Sequence, residues 1–584
     1  MKSPRTLLLI ALLLILVGGI LAWRTQTAGG RVSVRDLRWV APSGQRMSGL
    51  LYVPNGVTAE NPAPGIAAIH GYINSRETQS GFAIEFARRG FVVLAADQTG
   101  HGYSDPPAFS AGFGGPAALA YLRSLDFVDT LNIGLEGHSM GGWAAGMAAS
   151  ALPDGYRSIA LVGSSTGTLG VPDGTPEWPR NLAVIFSVWD EFSQTMWGTP
   201  IARDVAMAPK LQAAFGIEEE IQPGRIYGSI PNGTARVLYQ PRTNHPGDHL
   251  STEAIGNAVE WFQMTLDGGS DLAPTNQIWY WKEVGTLLSA IGMVLLLFPV
   301  ALMLLRTDYF ADLASKPAPS IPTRRPGWWA NVVIAALLGP LTLFTFKGLP
   351  ERLGWQPSAL FPQSITNGVI AWTTTVGLLT LVLLLLWHFV FNRKAGATSD
   401  QYGLTWSGTF VWRRFARSIL FALLLVGAGY GTLLLTAFLF QTDYRFWVFA
   451  VKPLSPLQLR TAIIYFVPFA FFFLVLDIVA YAQLRRSDWS MRRTLIVTTA
   501  VLAGGYLLLY LAQYVPMALN GTMAIADEPL WTIISYQFLP IMTIVGLLFG
   551  FLNRESGTVY PGAFAAAMLV SWIVVASQAT HVPL

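Results

Sequence analysis

The sequence predicts two domains of different class: an α/β domain with a doubly wound, mostly parallel sheet, followed by an all-α domain of several transmembrane helices. Short apolar runs alternate with helical patterns from residue 24 to about residue 278, as in parallel sheets covered by helices. From about residue 284 onward, apolar runs of spanning length are separated by short loops. Hydrophobic residues make up 52% of the 584-residue chain and charged residues only 12%, which also favours a membrane protein.

Other features of the composition exclude several function classes. The chain has no cysteine, which excludes disulfides, thiol catalysis and zinc–thiolate sites. A net charge of +4 gives no case for nucleic-acid binding. The sequence shows neither a P-loop nor a Rossmann glycine pattern, so we expect no cofactor and no metal.

The N-terminal segment, residues 1–23, places basic residues before an apolar run. Lys2 and Arg5 precede the run from Thr6 to Trp23, which is typical of a cleaved signal peptide or of an uncleaved signal anchor. No A-x-A cleavage site is visible, so we favour the anchor. Both interpretations send the following domain, residues 24–278, out of the cytoplasm.

Alternating strands and helices are predicted in that domain. The strands are Val32–Val40, Gln45–Val53, Gly65–Ile69, Phe91–Ala96, Leu131–Leu135, Arg157–Val162, Leu182–Phe186 and Ala235–Tyr239. The helices are Phe82–Arg89, Pro116–Leu125 and Thr252–Leu266, and Gly224–Ala235 is predicted to form a hairpin. Sites in such sheets lie at the carboxyl ends of the strands, where the sequence places His70, Asp97, Ser139, Asp190 and His245.

The G-x-S-x-G pattern of a nucleophile elbow is present at Gly137-His138-Ser139-Met140-Gly141. A predicted strand precedes it and a helix of small residues follows, which is the context in which the motif is meaningful. The two glycines leave room for a strained turn that presents the serine. The alternative is a glycine-rich turn whose serine merely caps the helix.

Residues 32–266 resemble the α/β-hydrolase superfamily. The matching segments are His70-Gly71-Tyr72, Asp97 to Ser104, and Gly137 to Gly142. The resemblance implies an eight-stranded sheet in the order of that family and a triad in the chain order serine, acid, histidine. It covers less than half of the chain and implies nothing about the C-terminal part.

The resemblance implies that Ser139 is the nucleophile and that the acid follows the seventh strand. Asp190 has that position, although Ser187 stands where a glycine is common, and Glu191 is the nearest substitute. Asp97 precedes the serine in the chain, so we interpret it as a structural residue of its glycine-rich loop.

The sequence offers two histidines for the base. His245 follows the last strand at the family's usual spacing, whereas His249 lies close to the closing helix and could instead contact substrate or a neighbouring side chain. We therefore favour His245, and we interpret His70 and His138 as packing and hydrogen-bonding residues.

Each predicted group has a chemical task. An imidazole must take the proton of the weakly nucleophilic serine, and a carboxylate fixes the tautomer of that imidazole. The backbone amides of Tyr72 and Met140 are the predicted oxyanion donors, each typically worth about 3 kcal/mol.

The stretch between the predicted acid and base, about residues 191–234, is longer than a minimal connection needs. We interpret its apolar part, Phe192–Ile221, as a cap that supplies an acyl or leaving-group pocket. The alternative is an ordinary pair of surface helices.

The C-terminal domain, residues 279–584, begins with an aromatic belt at Trp279-Tyr280-Trp281. Eight spans are predicted, at about 284–305, 329–347, 367–391, 418–440, 461–483, 494–518, 530–552 and 560–578, which makes nine with the first helix. The loops on the N-terminal side carry 14 lysines and arginines and the opposite loops carry 4. This bias predicts a cytoplasmic N-terminus, with the first domain and the C-terminus outside.

Asp477 is the notable ionisable residue within a predicted span. A carboxyl at membrane depth suggests ion or proton handling. The alternative is that Asp477 reaches the interface or bonds to a neighbouring helix.

Together these features predict a multi-pass protein of a bacterial-type cell membrane with an extracytoplasmic serine hydrolase domain. The expected reaction is hydrolysis of a carboxylic ester, a small molecule or a lipid, through an acyl-serine intermediate. Alternatives are a transporter or scaffold with a hydrolase-like processing or sensing domain, a peptidase or thioesterase of the same fold, and a non-catalytic binding domain. The predicted partners are this ester and the lipid bilayer, and no nucleic acid; the sequence does not indicate a protein partner either way.

Overall fold

A computed structural model describes residues 4–322 and 325–583. Lys2 of the predicted anchor and residues 323–324 of a predicted loop lie outside the described residues. The first domain is built on one eight-stranded sheet with the order β1-β2-β4-β3-β5-β6-β7-β8. β1, β2 and β4 pair antiparallel and all other pairs are parallel. The strands are β1 Val32–Val40, β2 Arg46–Pro54, β3 Ala63–Ile69, β4 Val92–Ala96, β5 Val128–His138, β6 Ser158–Val162, β7 Leu182–Ile185 and β8 Arg236–Tyr239.

Helices cover both faces of this sheet, which is why its central strands are continuously apolar. Every residue of β3, β4, β6, β7 and β8 is buried. One face packs against α2 (Ser80–Arg88) and α7 (Thr252–Thr265). The other face packs against α3 (Gly115–Arg123) and α4 (Met140–Ala151). The doubly wound α/β fold predicted from the sequence is confirmed.

The loop between β7 and β8 contains two short helices, α5 (Ser193–Trp197) and α6 (Pro209–Phe215). The hairpin predicted at Gly224–Ala235 is present in an irregular form. The chain reverses at a turn where Gly233 N donates to the Ile230 oxygen at 3.0 Å. Tyr227 and Arg236 exchange backbone hydrogen bonds in one antiparallel bridge. Gly228 and Gly233 both have φ of 75°, a conformation that glycine adopts readily, and the pairing in this described segment stays limited to that bridge and the turn.

The second part of the chain is helical. Its helices are α8 Tyr280–Leu305, α9 Arg325–Phe346, α10 Leu349–Arg352, α11 Ser364–Trp387, α12 Trp412–Phe440, α13 Pro456–Val479, α14 Met491–Asn520, α15 Pro529–Ser535, α16 Phe538–Ser556 and α17 Tyr560–Ser577. Together with α1 (Pro4–Gln26), they provide nine segments, within the described residues, that are long and apolar enough to cross a membrane. This number agrees with the sequence prediction. We call α1 and α8–α17 with their loops the helical domain.

The N-terminal helix α1 packs closely against α8. A Cβ atom on Gly18 would lie 2.4 Å from the carbonyl oxygen of Gly285, and one on Gly285 would lie 2.6 Å from that of Gly18. The Ser289 hydroxyl also donates to the Ile15 carbonyl oxygen at 3.2 Å. Small residues at such a crossing allow the backbones to approach, which favours association of helices in lipid. That α1 is an uncleaved anchor stays a prediction.

The segments of the helical domain that contact the first domain lie on the same side of the helices. The C-terminal tail pairs with the first domain, since Thr580 N donates to the Gly100 oxygen at 2.8 Å and Ala108 N donates to the Thr580 oxygen at 2.7 Å. Lys452, between α12 and α13, lies 3.2 Å from the Glu77 carboxylate. Although burial opposes ionisation, Lys452 and neighbouring arginines hold the pKa of Glu77 well below its usual range. The C-terminus therefore lies on the side of the first domain, as the eight candidate spans between them require.

Asp477 has a structural partner. Asn553 on α16 donates an amide hydrogen to one oxygen of the buried Asp477 carboxyl. The other oxygen lies beside Gly562 in the first turn of α17, where the positive end of a helix dipole favours negative charge. These contacts favour a bond to neighbouring helices, the second of the two interpretations of this residue.

Candidate active site

Ser139 occupies a strained turn between β5 and α4. Its backbone has φ of 56° and ψ of −124°, a conformation that a non-glycine residue rarely adopts. The flanking glycines are needed for close packing. A Cβ atom on Gly137 would lie 2.1 Å from the Gly141 oxygen, and one on Gly141 would lie 2.0 Å from the Ile69 oxygen. This geometry is that of a nucleophile elbow.

The Ser139 side chain is not used as a helix cap. Ser139 is the residue before α4, yet its side chain makes no capping hydrogen bond. Its backbone is fixed instead by donation from Ser139 N to the Val162 oxygen of β6 at 2.8 Å. The turn therefore places the half-buried Ser139 side chain at a cavity, where it does not cap the helix.

His245 and Asp190 lie together on the loops that follow β8 and β7. The Nδ1 atom of His245 lies 2.8 Å from Oδ2 of Asp190, and both side chains are buried. Asp190 Oδ1 accepts a second hydrogen bond, from Phe192 N at 2.8 Å. With the proton on Nδ1 facing the carboxylate, Nε2 is the basic nitrogen of the ring.

Burial and the neighbouring carboxylates act on the ionisation of both members of this pair. Burial lowers the pKa of His245, and the nearby carboxylates oppose that effect. Burial and the Asp248 carboxylate raise the pKa of Asp190. A positive charge on His245 would therefore stabilise a charged Asp190 beside it.

His249 lies in the same cavity without a carboxylate partner. Neither of its ring nitrogens has a hydrogen-bond partner among the described residues. Burial, followed by the neighbouring His138 and His245, lowers the pKa of His249 well below its usual value. His138 donates from Nε2 to the His245 carbonyl oxygen at 2.9 Å, so it supports the loop of His245. His245 therefore has a carboxylate partner that His249 lacks, and the choice of His245 as the base stays a prediction.

The other polar residues at the ends of strands are structural. The His70 ring accepts from Gln98 N at 3.1 Å and donates to the Gly71 oxygen at 2.7 Å, and burial lowers its pKa to about 3. Asp97 accepts from the backbone nitrogens of Arg76 at 2.9 Å and Tyr103 at 3.2 Å. Both residues therefore fix loops around the site.

The predicted oxyanion donors flank Ser139. Tyr72 and Met140 line the same cavity, and Met140 is the first residue of α4, where backbone amides lack partners within the helix. A Cβ atom on Gly71 would lie 3.0 Å from Cβ of Ser139, so the loop of Tyr72 passes directly beside the serine. Their role as donors stays a prediction.

A comparison with known families agrees with this geometry. Residues 66–204 match the alpha/beta hydrolase fold family. The first domain is an α/β-hydrolase domain. No curated protein matches the chain.

Solved structures show similarity to this hydrolase domain. A hypothetical protein from Pseudomonas aeruginosa is 26% identical over 22% of this chain and 42% of that chain, with a TM-score of 0.21. An esterase from Pyrococcus furiosus is 16% identical over 41% of this chain and 95% of that chain, with a TM-score of 0.28. A dienelactone hydrolase from Anabaena variabilis is 18% identical over 40% of this chain and 99% of that chain, with a TM-score of 0.28. Because these TM-scores are below 0.5, the fold assignment depends on the family match and the strand order.

The cavity at Ser139 lies between the hydrolase domain and the helical domain. It has a volume of about 270 Å³ and is mostly apolar. Phe192, Thr195 and Met196 of the predicted cap contribute to its wall. The helical domain contributes a further part of the wall, which the sequence did not predict: Trp447, Val448, Leu530, Ile533 and Gln537.

Sequence reasoning also missed several polar contacts of the site. The hydroxyl of Ser187, the residue in place of a glycine, donates to Asp248. The Tyr72 hydroxyl lies 3.0 Å from Nε2 of His581 in the C-terminal tail. Of these two contacts, only that of Ser187 had a signal in the sequence, namely a serine where a glycine is common. The contact between Tyr72 and His581 had none, because it joins residues more than 500 positions apart.

Proposed function

We propose that the chain is a membrane-bound serine hydrolase that cleaves carboxylic esters through an acyl-serine intermediate. The observation that supports this proposal is the position of Ser139, on a strained elbow in the same cavity as a His245 imidazole bonded to Asp190. A buried imidazole held by a carboxylate is the group that a weak hydroxyl nucleophile requires.

The proposed reaction has two halves. The Ser139 oxygen attacks the ester carbonyl while His245 Nε2 takes its proton, and the amides of Tyr72 and Met140 donate to the oxyanion. The intermediate collapses to the acyl-serine, and the alcohol leaves with the proton from His245. Water then attacks the acyl group in the same manner and releases the carboxylic acid and free Ser139.

The wall of the cavity suggests the class of substrate. Trp447, Leu530 and Ile533 come from the helical domain and offer apolar surface next to Ser139. We propose an ester with an apolar acyl chain, derived from a lipid or another envelope component, on the extracytoplasmic side of a bacterial cell membrane. Binding of such a chain removes apolar surface from water, which stabilises the complex.

Turnover of p-nitrophenyl butyrate by the full chain in detergent tests this proposal. We expect Ser139→Ala to abolish turnover and His245→Ala to lower kcat by about 10⁴-fold or more. His249→Ala serves as the matched control, because His249 lies in the same cavity without a carboxylate partner. Equal turnover by the wild type and Ser139→Ala would contradict the proposal.

A further inference from the structure

We propose that helix α14 of the helical domain positions the base of the hydrolase domain, through a hydrogen bond from Tyr514 to Glu191. Tyr514 and Glu191 are positioning residues in this account, since they act through His245. The inference rests on the proposed function of His245 as the base.

Glu191 fixes the backbone of the loop that carries His245. Its Oε2 atom accepts from His245 N at 2.9 Å, and its Oε1 atom accepts from the Asn244 side chain at 2.9 Å. The Asn244 side chain in turn accepts from Gly247 N at 3.1 Å and so caps the short turn after His245. One carboxylate therefore holds both the base and the turn next to it.

The helical domain completes this arrangement. The Tyr514 hydroxyl, on α14, donates to Glu191 Oε1 at 2.6 Å. The ring of Tyr536, after α15, stacks on Tyr514 with centroids 5.5 Å apart and an interplanar angle of 19°. Its hydroxyl also lies 3.3 Å from the Asn244 side-chain nitrogen. Two tyrosines from the helical domain thus reach the loop of His245.

Three donors bond to Glu191, and no positive side chain among the described residues does so. Burial and the adjacent Asp190 raise the pKa of Glu191 to about 7, and the Tyr514 hydrogen bond opposes that rise. Hydrogen bonds to a charged acceptor are stronger than neutral ones, so the Tyr514 hydroxyl contributes more here than an ordinary buried donor would. Without the Tyr514 hydroxyl, the Glu191 carboxylate loses one of its three hydrogen bonds. It then holds the backbone of His245 less firmly.

Tyr514→Phe, in the full chain in detergent, removes only this hydroxyl. We expect kcat for p-nitrophenyl butyrate to fall about tenfold, the effect of losing one hydrogen bond to a charged group. KM should stay within about twofold, because Tyr514 is not among the residues that line the cavity. Tyr510→Phe is the matched control, since Tyr510 lies one turn earlier on α14 and donates to the Ser535 oxygen within the helical domain.

Hydrogen–deuterium exchange of residues 241–250 tests the positioning without any turnover. We expect faster exchange in this segment for Tyr514→Phe than for the wild type, and unchanged exchange for Tyr510→Phe. The inference is overturned if Tyr514→Phe behaves like Tyr510→Phe in exchange, or if kcat is unchanged while Ser139→Ala abolishes turnover. Failure of the proposed function would give a different result, because Ser139→Ala would then turn over ester like the wild type. The exchange rates would still show whether Tyr514 holds the loop of His245 in place.

Discussion

The indole nitrogen of Trp447 donates to the carbonyl oxygen of Pro246 at 2.6 Å. Trp447 belongs to the loop between α12 and α13, and Pro246 follows His245 directly. The helical domain therefore contacts the loop of the proposed base here and through Tyr536, and it contacts Glu191 through Tyr514. The same indole lines the cavity at Ser139, so one residue contributes both to the position of the loop and to the wall.

Replacing this indole should weaken the site without unfolding the chain. In Trp447→Phe, the Pro246 oxygen loses its donor, which costs about 1 kcal/mol for a neutral hydrogen bond. We expect ester turnover to fall about fivefold. Trp412→Phe is the control, because Trp412 has 74% of its surface exposed on the helical domain and does not line the cavity. A similar loss in both variants would show that the effect is not specific to the loop of His245.

The pH dependence of kcat/KM should report Glu191. Its carboxyl faces Asp190, His245, Tyr514 and Tyr536, and burial together with Asp190 raises the pKa of Glu191 to about 7. A group with that pKa takes up a proton as the pH falls below about 7. The protonated carboxyl carries a hydrogen on one oxygen, so it accepts hydrogen bonds from its three donors less well. Burial lowers the pKa of His245 below 6.5, so His245 should protonate only at lower pH.

We therefore expect kcat/KM of the wild type to decrease below about pH 7. Glu191→Gln should lower the plateau and move the acidic midpoint to lower pH, because burial lowers the pKa of His245. Glu219→Gln provides the control, since Glu219 is exposed and remote from the cavity. An unchanged acidic midpoint in Glu191→Gln would contradict this assignment.

The wall contributed by the helical domain should set the preferred length of the acyl chain. Ile533→Ala enlarges the cavity on the side of α15, so longer p-nitrophenyl esters should gain kcat/KM relative to the acetate by about tenfold. Ile541→Ala is the matched control, because Ile541 is equally buried in the helical domain but does not line the cavity. Equal selectivity in the two variants would argue that substrate does not contact α15.

The absence of cysteine permits a direct test of membrane orientation. Asp271 lies in the exposed linker after the hydrolase domain, and Lys394 lies in an exposed loop after α11. The excess of basic residues predicts that Asp271→Cys reacts with a membrane-impermeant maleimide in intact cells and that Lys394→Cys reacts only after lysis. The reverse pattern would place the hydrolase domain in the cytoplasm.

Local sequence patterns predicted the sheet and the elbow because each depends on neighbouring residues. The strands of the hydrolase domain are short apolar runs bounded by polar residues, and the glycines around Ser139 are needed by contacts within one turn. The loops of Asp190 and His245 follow strands that end at the same edge of a parallel sheet, so their proximity was also predictable.

Contacts between the two domains could not be predicted in this way. Glu191 and Tyr514 are 323 positions apart, and Tyr514 lies in a span where lipid-facing and protein-facing residues are both apolar. Hydrophobic periodicity therefore does not show which face of α14 meets the hydrolase domain. By contrast, the reversal within Gly224–Ala235 was predictable, because it depends on a local turn from Ile230 to Gly233.

The most direct test of the central claim is the site of reaction with a fluorophosphonate probe. The full chain would be labelled in detergent and the modified peptide identified by mass spectrometry. We predict one adduct, on Ser139, which is absent in Ser139→Ala and forms far more slowly in His245→Ala than in His249→Ala. A folded wild-type chain that carries no adduct on Ser139 would contradict the account.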